Sequence, residues 1–151
     1  MARLSNGGVN PKMRKSKLWV KREIYDELLR HCLREPAKES CGILAGRSGR
    51  IERIFPLANI SDTPKLCYMI DPKEQLSVFK ELREDNLELT AIYHSHVDVQ
   101  AYPSKKDVEL AFYPESSYVI ISLSKQKPPE ARSFKIIDGK IEEEELEIVN
   151  N

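Results

Sequence analysis

The sequence is short of cysteine and has none of the usual cysteine patterns. Its three cysteines, Cys32, Cys41 and Cys67, are odd in number and none stands in a C-x-x-C spacing. That excludes a disulfide framework and a cysteine zinc knuckle, and leaves buried free thiols as the expectation. Net charge is also missing: 24 Lys and Arg balance 24 Asp and Glu, so no overall positive field exists to drive attachment to nucleic acid or an anionic membrane. There is no apolar run long enough to span a bilayer, and Asn6, Gly7, Gly8, Asn10 and Pro11 interrupt the region where a secretory signal would carry its apolar core. A cytoplasmic protein that recognises its partners locally, with neither nucleic acid nor membrane among them, is the expectation.

What the chain does contain is 40% hydrophobic and 32% charged residues over a length of 151, enough for one hydrophobic core and one domain. The charge is uneven. Arg3, Lys12, Arg14, Lys15 and Lys17 crowd the start, and Glu142, Glu143, Glu144, Glu145 and Glu147 crowd the end, which reads as a solvated tail and a solvated strand face. Residues 1–16 hold few large apolar residues and several breakers, so they are expected to form a flexible leader before a domain spanning 17–151.

Across residues 21–34, Ile24, Leu28, Cys32 and Leu33 recur at helical spacing with charges between them, an amphipathic helix that ends before Pro36 with His31 on its surface. Residues 41–45 and 51–57 are β-rich runs about a turn at 46–49, and 66–70 is another short strand. Asp71, Pro72 and Glu74 spell a helix start, with a capping aspartate, proline at the first position and glutamate as reciprocal cap; Leu76, Phe79 and Leu82 then face inward. Residues 87–96 form a central strand, 104–112 a short helix stopped before Pro114, 117–123 an apolar strand, and 132–149 a hairpin about Asp138 and Gly139. No regular βαβ rhythm emerges, which predicts an α/β chain of the α+β kind, a mixed central sheet flanked by helices.

The chemistry gathers at the end of the 87–96 strand. His94, Ser95 and His96 read His-x-His, and alternate residues of a strand leave the same face with Cα atoms roughly 6.6 Å apart, so two imidazoles can converge on one metal ion. Two neutral imidazoles and one carboxylate suit zinc with a coordination position left open. By itself His-x-His also fits a pair of hydrogen-bonding strand-end histidines. Ser104 and Asp107 follow at i, i+3, first of all a helix-capping box; a helix starting there also presents both residues on one face, and capping and ligation do not exclude each other.

Glu39 in Glu-Ser-Cys-Gly-Ile-Leu-Ala-Gly, then His94-Ser-His96, seven residues, Ser104, two residues and Asp107 together resemble the signature of the JAMM (MPN-domain) zinc metalloproteases. The likeness runs from about Leu18 to the end and departs at Val97, where many relatives have proline; that removes no ligand. The resemblance implies a single MPN domain of cytidine-deaminase-like architecture, with one Zn2+ per chain held by His94, His96 and Asp107. It implies that Glu39 is the general base and proton donor beside the bound water, and that Ser104 donates its hydroxyl to the developing oxyanion. Ser95, on the opposite side of the strand, is assigned packing or hydrogen bonding behind the ligands. Cys41 invites a nucleophile role, but both motif histidines are committed to metal, so a buried structural thiol is favoured.

Relatives of this kind hydrolyse peptide or isopeptide bonds after the Gly-Gly tail of ubiquitin-like or sulfur-carrier proteins, and a compact prokaryotic-type member is implied. Residues 61–68 are the candidate sheet edge for an extended tail. The alternative is a non-catalytic MPN scaffold that binds zinc and partners. A nucleobase deaminase is excluded by the missing Pro-Cys-x-x-Cys, and a DNA-repair relative is disfavoured by the missing basic face. Monomer and homodimer both stay open.

Overall fold

The computed structural model describes residues 16–125 and 127–150; apart from Ser16, the expected leader lies outside them. Among the described residues the chain runs β1 (Lys17–Lys21), α1 (Arg22–Arg34), β2 (Cys41–Arg47), β3 (Arg50–Leu57), α2 (Pro72–Glu84), β4 (Glu88–His96), α3 (Lys105–Glu109), β5 (Ser117–Ser122), β6 (Glu130–Ile137) and β7 (Lys140–Val149). The strands lie in the order β1-β3-β2-β4-β5-β6-β7, and β7 pairs back onto β1 to close a barrel. β1 is parallel to both β3 and β7, β4 is parallel to β5, and the other neighbours are antiparallel. The sheet is mixed and the fold α+β, as expected. Its closure was not foreseeable, because β1 was not recognised as a strand and it is β1 that joins the two ends.

Side-chain alternation along β4 divides the interior. Ala91 and Tyr93 share a cluster with Leu28 and Cys32 of α1 and with Val119 and Ile121 of β5. Ile92 faces the other way, into a cluster with Ile120, Tyr118 and Phe134 against which Val108 and Ala111 pack. Val78 and Leu82 of α2 close over Ile43 and Ala45. His94 and His96 therefore continue the Ile92 side of the strand, away from α1. Gly42 pairs with Tyr93 across the ladder, and a Cβ there would stand 2.4 Å from the Tyr93 ring and 2.5 Å from Phe55 O. Only glycine lets that ring lie flat on β2.

Two hairpins turn on paired positive-φ residues, Ser48 and Gly49 (φ 53° and 78°) and Asp138 and Gly139 (φ 51° and 78°), the geometry that matches strand twist. Both fall where the sequence predicts a turn, the first confined to the last two residues of the expected 46–49. Asp71 caps α2 by accepting from the Lys73 N–H at 2.9 Å.

Several local expectations are corrected. Residues 66–70 are not a strand: bends and turns occupy 62–66, 67–69 have no regular structure, and Ile70 makes only an isolated bridge to Asn59. The proposed edge at 61–68 is therefore not part of a strand; the Ser61 N–H bonds to Asn59 Oδ1 and the Thr63 N–H to Ser61 Oγ instead. Leu76 and Leu33 are 70% and 49% exposed; α2 is held by Val78 and Leu82, α1 by Leu28 and Cys32. Among the described residues no bond runs from Glu74 back to Asp71. α3 ends at Glu109 rather than 112. Cys67 is only half-buried, with its sulfur 3.1 Å from both Ser61 Oγ and Thr63 Oγ1. Nor is the acidic end wholly a solvated face: Glu144 is 5% exposed and accepts from Ser16 Oγ at 2.6 Å, Ser133 Oγ at 2.8 Å and Ser117 Oγ.

Candidate metal centre

β4 delivers His94 and His96 to one face at its C-terminal end, buried to 1% and 2% exposure. α3 brings the third donor. Ser104 caps it by accepting from the Asp107 N–H at 3.0 Å, and Asp107 Oδ2 returns the bond by accepting from the Ser104 N–H at 2.9 Å. That capping box fixes the carboxylate, and the same Oδ2 lies 3.2 Å from His94 Nε2 and 3.1 Å from His96 Nε2, with the two Nε2 atoms 3.1 Å apart. Capping and convergence on the histidines are carried by one side chain.

The donor set fits a metal. His96 Nδ1 lies 2.8 Å from Gln100 O; donating there leaves the Nε2 lone pair facing the cluster. Two imidazole nitrogens and a carboxylate oxygen crowd around one point, an arrangement that a cation relieves and a hydrogen-bond network of acceptors does not. Tetrahedral ligands at zinc distances of about 2.0 Å lie roughly 3.3 Å apart, close to the separations here. His94, His96 and Asp107 could thus hold such an ion and leave a position open.

The electrostatics follow from burial and proximity. Burial pulls His94 below its usual pKa, outweighing the attraction of Asp107. Burial also lowers His96, but its hydrogen bonds to Asp107 and Gln100 O reverse the sign and its pKa rises. Burial alone would raise Asp107, yet the bonds from His94 and His96 hold it well below the usual carboxylate range.

Glu39 reaches this cluster through strand register. Cys41 pairs with His94 across β2 and β4, and the Ser95 N–H donates to Ser40 O at 3.0 Å, so Glu39 falls opposite His96. It is 5% exposed, and its Oε1 has no protein partner. Burial pushes its pKa up to about 8, opposed by His96 and assisted by Asp107. Ser104 is exposed at the rim, and among the described residues its O–H donates to no protein acceptor.

Behind the ligands, Ser95 is fully buried and its Oγ accepts from the Ser40 N–H at 2.8 Å, in keeping with its expected place. His31 is not a free surface histidine: its Nδ1 lies 2.6 Å from the Tyr93 hydroxyl. Cys41 is buried, its thiol pushed up to about 12 by burial, which suits a structural thiol rather than a nucleophile. Tyr68 was missed altogether. Its ring stacks on His94 at 4.5 Å and 24°, but it belongs to an irregular loop, where no periodicity or motif could single it out.

Prokaryotic homologs of the JAB domain match residues 21–137 of the chain. The CysO-cysteine peptidase of Mycobacterium tuberculosis is 36% identical over 134 residues, covering 87% of this chain and 91% of that protein. A probable TtuB-protein conjugate cleaving protease of Thermus thermophilus is 42% identical over 94 residues, 62% of this chain and 63% of that one. Among solved structures, a Desulfitobacterium hafniense protein superposes with a TM-score of 0.79 at 35% identity, covering 89% of this chain and 94% of the other. A JAB1/MPN domain protein from Archaeoglobus fulgidus shares the fold, with a TM-score of 0.61 at 16% identity and coverage of 89% and 99%.

Proposed function

Since the chain belongs to the prokaryotic branch of the JAB (JAMM/MPN) family and is a hydrolytic enzyme of the JAMM type, we propose that it is a zinc-dependent peptidase cleaving peptide or isopeptide bonds after the Gly-Gly tail of a ubiquitin-like or sulfur-carrier protein. The observation that carries this is the convergence of His94, His96 and Asp107 within 3.2 Å of one another, with the unpartnered carboxyl of Glu39 opposite His96. Zinc bound there would supply Lewis acidity and bring the pKa of water towards neutrality.

The chain's own residues do the rest. Glu39 takes a proton from the attacking water and returns it to the leaving nitrogen as the C–N bond breaks, giving a carboxylate and an amine. Ser104 keeps Asp107 in place through its Oγ and has its O–H free to donate to the carbonyl oxygen as charge builds there. Tyr68 shields one face of His94 and, with Ile70, Phe79 and Phe112, lines an apolar groove of about 190 Å3 that gives a substrate body somewhere to rest beside the metal.

The names of the relatives support the substrate class, one a peptidase for CysO-cysteine and the other a probable protease for TtuB-protein conjugates. No helix among the described residues is long and apolar enough to cross a membrane. The test is mass spectrometry of ubiquitin-like and sulfur-carrier fusions extended past Gly-Gly, incubated with zinc-loaded protein. Cleavage after the second glycine, absent with Glu39→Gln, is expected; intact fusions throughout would sink the proposal.

A further inference from the structure

We propose that Asn59 is a positioning residue that locks Glu39 to the loop carrying Tyr68, an assignment that rests on the proton-transfer role proposed for Glu39. A primary amide offers two N–H donors and an oxygen with two lone pairs. Asn59 uses all four positions. Its Nδ2 donates to Glu39 O at 2.9 Å and to Cys67 O at 3.1 Å. Its Oδ1 accepts from the Ser61 N–H at 2.9 Å and the Met69 N–H at 3.0 Å.

The loop needs such a hub because it has little regular structure to occupy its backbone groups. Besides the Asn59 side chain, the isolated Asn59–Ile70 bridge, the bond from the Ile60 N–H to Met69 O at 2.9 Å, turn bonds onto Thr63 O, contacts among Ser61, Thr63 and Cys67, and the Glu39 N–H on Pro64 O tie it. Two of the four contacts, at Cys67 O and the Met69 N–H, flank Tyr68 in sequence and thereby fix the ring that lies 4.5 Å from His94.

Glu39 is gripped from the same loop at both ends of its backbone. Its N–H donates to Pro64 O at 2.7 Å, and its C=O accepts from Asn59. The carboxyl has an oxygen with no protein partner, so its aim depends on where the backbone is held. Catalytic geometry tolerates little error, a misplacement of about 1 Å costing up to about a hundredfold in rate. Asparagine alone fits: aspartate of the same shape has no donor for Glu39 O, and glutamine places the amide one methylene too far.

Asn59→Asp cuts this link together with the one to Cys67, setting a carboxylate oxygen against both carbonyls. It keeps the volume and the acceptor for Ser61 and Met69 but removes both donated bonds. With the zinc-loaded full chain and a Gly-Gly fusion as substrate, kcat should fall at least about tenfold with KM and zinc affinity within about twofold of wild type. Adding the change to Glu39→Gln should cost nothing further. By NMR the Glu39 carbonyl carbon should move upfield as its donor is lost, while the Ser61 and Met69 amides keep their protection from exchange. Asn59→Gln, which retains every donor and acceptor, should show a smaller loss and decides the matter if the aspartate variant does not fold.

Wild-type kcat in these variants, or a fall in zinc affinity matching the fall in rate, would overturn the positioning role. If wild-type protein cuts no fusion, or Glu39→Gln equals it, the hydrolase role fails instead. The Glu39 carbonyl shift then still decides whether Asn59 locks the two segments, and an unchanged resonance would refute it.

Discussion

Cys41 pairs with His94 at the last rung of the β2–β4 ladder, and the Ser95 N–H donates to Ser40 O just beyond it, which carries Glu39 to the side of His96. Residues directly opposite on one face of an antiparallel pair have Cβ atoms about 5 Å apart. A carboxyl and an imidazole far apart in the chain thus become neighbours through backbone pairing.

Glu39→Gln should leave the metal site intact, because its side chain is not a member of the converging donor set. Zinc content should stay at one per chain while turnover falls roughly a hundredfold to ten-thousandfold, the usual worth of a positioned acid–base group. Atomic absorption beside a cleavage assay reads both.

His96→Ala should abolish tight zinc binding, since it removes one of three protein donors and also empties the bond to Gln100 O that orients the ring. Treating wild-type protein with a chelator should give the same loss of cleavage, restored by added zinc. Titration calorimetry on the variant showing wild-type affinity would remove His96 from the ligand set.

In the metal-free protein, Glu39 should make stability fall with rising pH. Its folded pKa of about 8 lies above the ordinary value of 4.5, so between those values the folded state holds a proton that the unfolded chain has released. Stability from this group is full below about 4.5 and is lost progressively up to about 8, on the order of a few kcal/mol. Melting temperatures from pH 5 to 8 should decline in wild type and decline less in Glu39→Gln.

Asp107 works in the opposite sense. Its carboxyl is held well below the usual range, so its contribution is present above the unfolded pKa and lost as acid approaches the folded one. Asp107→Asn should therefore flatten the acid limb of a metal-free denaturation curve and, because the Asp107 charge helps raise Glu39, end the Glu39 decline at a lower pH.

Gly42→Ala should destabilise the protein without touching the site chemistry. The added methyl meets the Tyr93 ring and Phe55 O at 2.4 and 2.5 Å, and overpacking of this kind costs about 1–3 kcal/mol. Chemical denaturation would show a lower midpoint with an unchanged slope.

Patterns carried by neighbouring residues were legible before any coordinates. Helical spacing of Leu28 and Cys32, the Asp138–Gly139 turn, the Asp71–Pro72 helix start and the His-x-His parity of His94 and His96 are all short-range consequences of backbone geometry. So is the box joining Ser104 and Asp107. These determined the α+β class, whereas the joining of Asp107 to the two histidines was implied by the resemblance to the JAMM signature and not by spacing. Where a strand pattern failed, at 66–70, the competing hydrogen bonds came from Asn59, a residue with no signature of its own.

Only the tertiary structure decided the rest. Barrel closure by β1 depends on pairing with β3 and β7, partners that a five-residue strand does not announce. The place of Glu39 beside His96, the ring of Tyr68 on His94 and the burial of Glu144 behind Ser117 and Ser133 depend on register between distant segments. Register is set by the summed fit of whole strands and their cores, so no local stretch of sequence carries it.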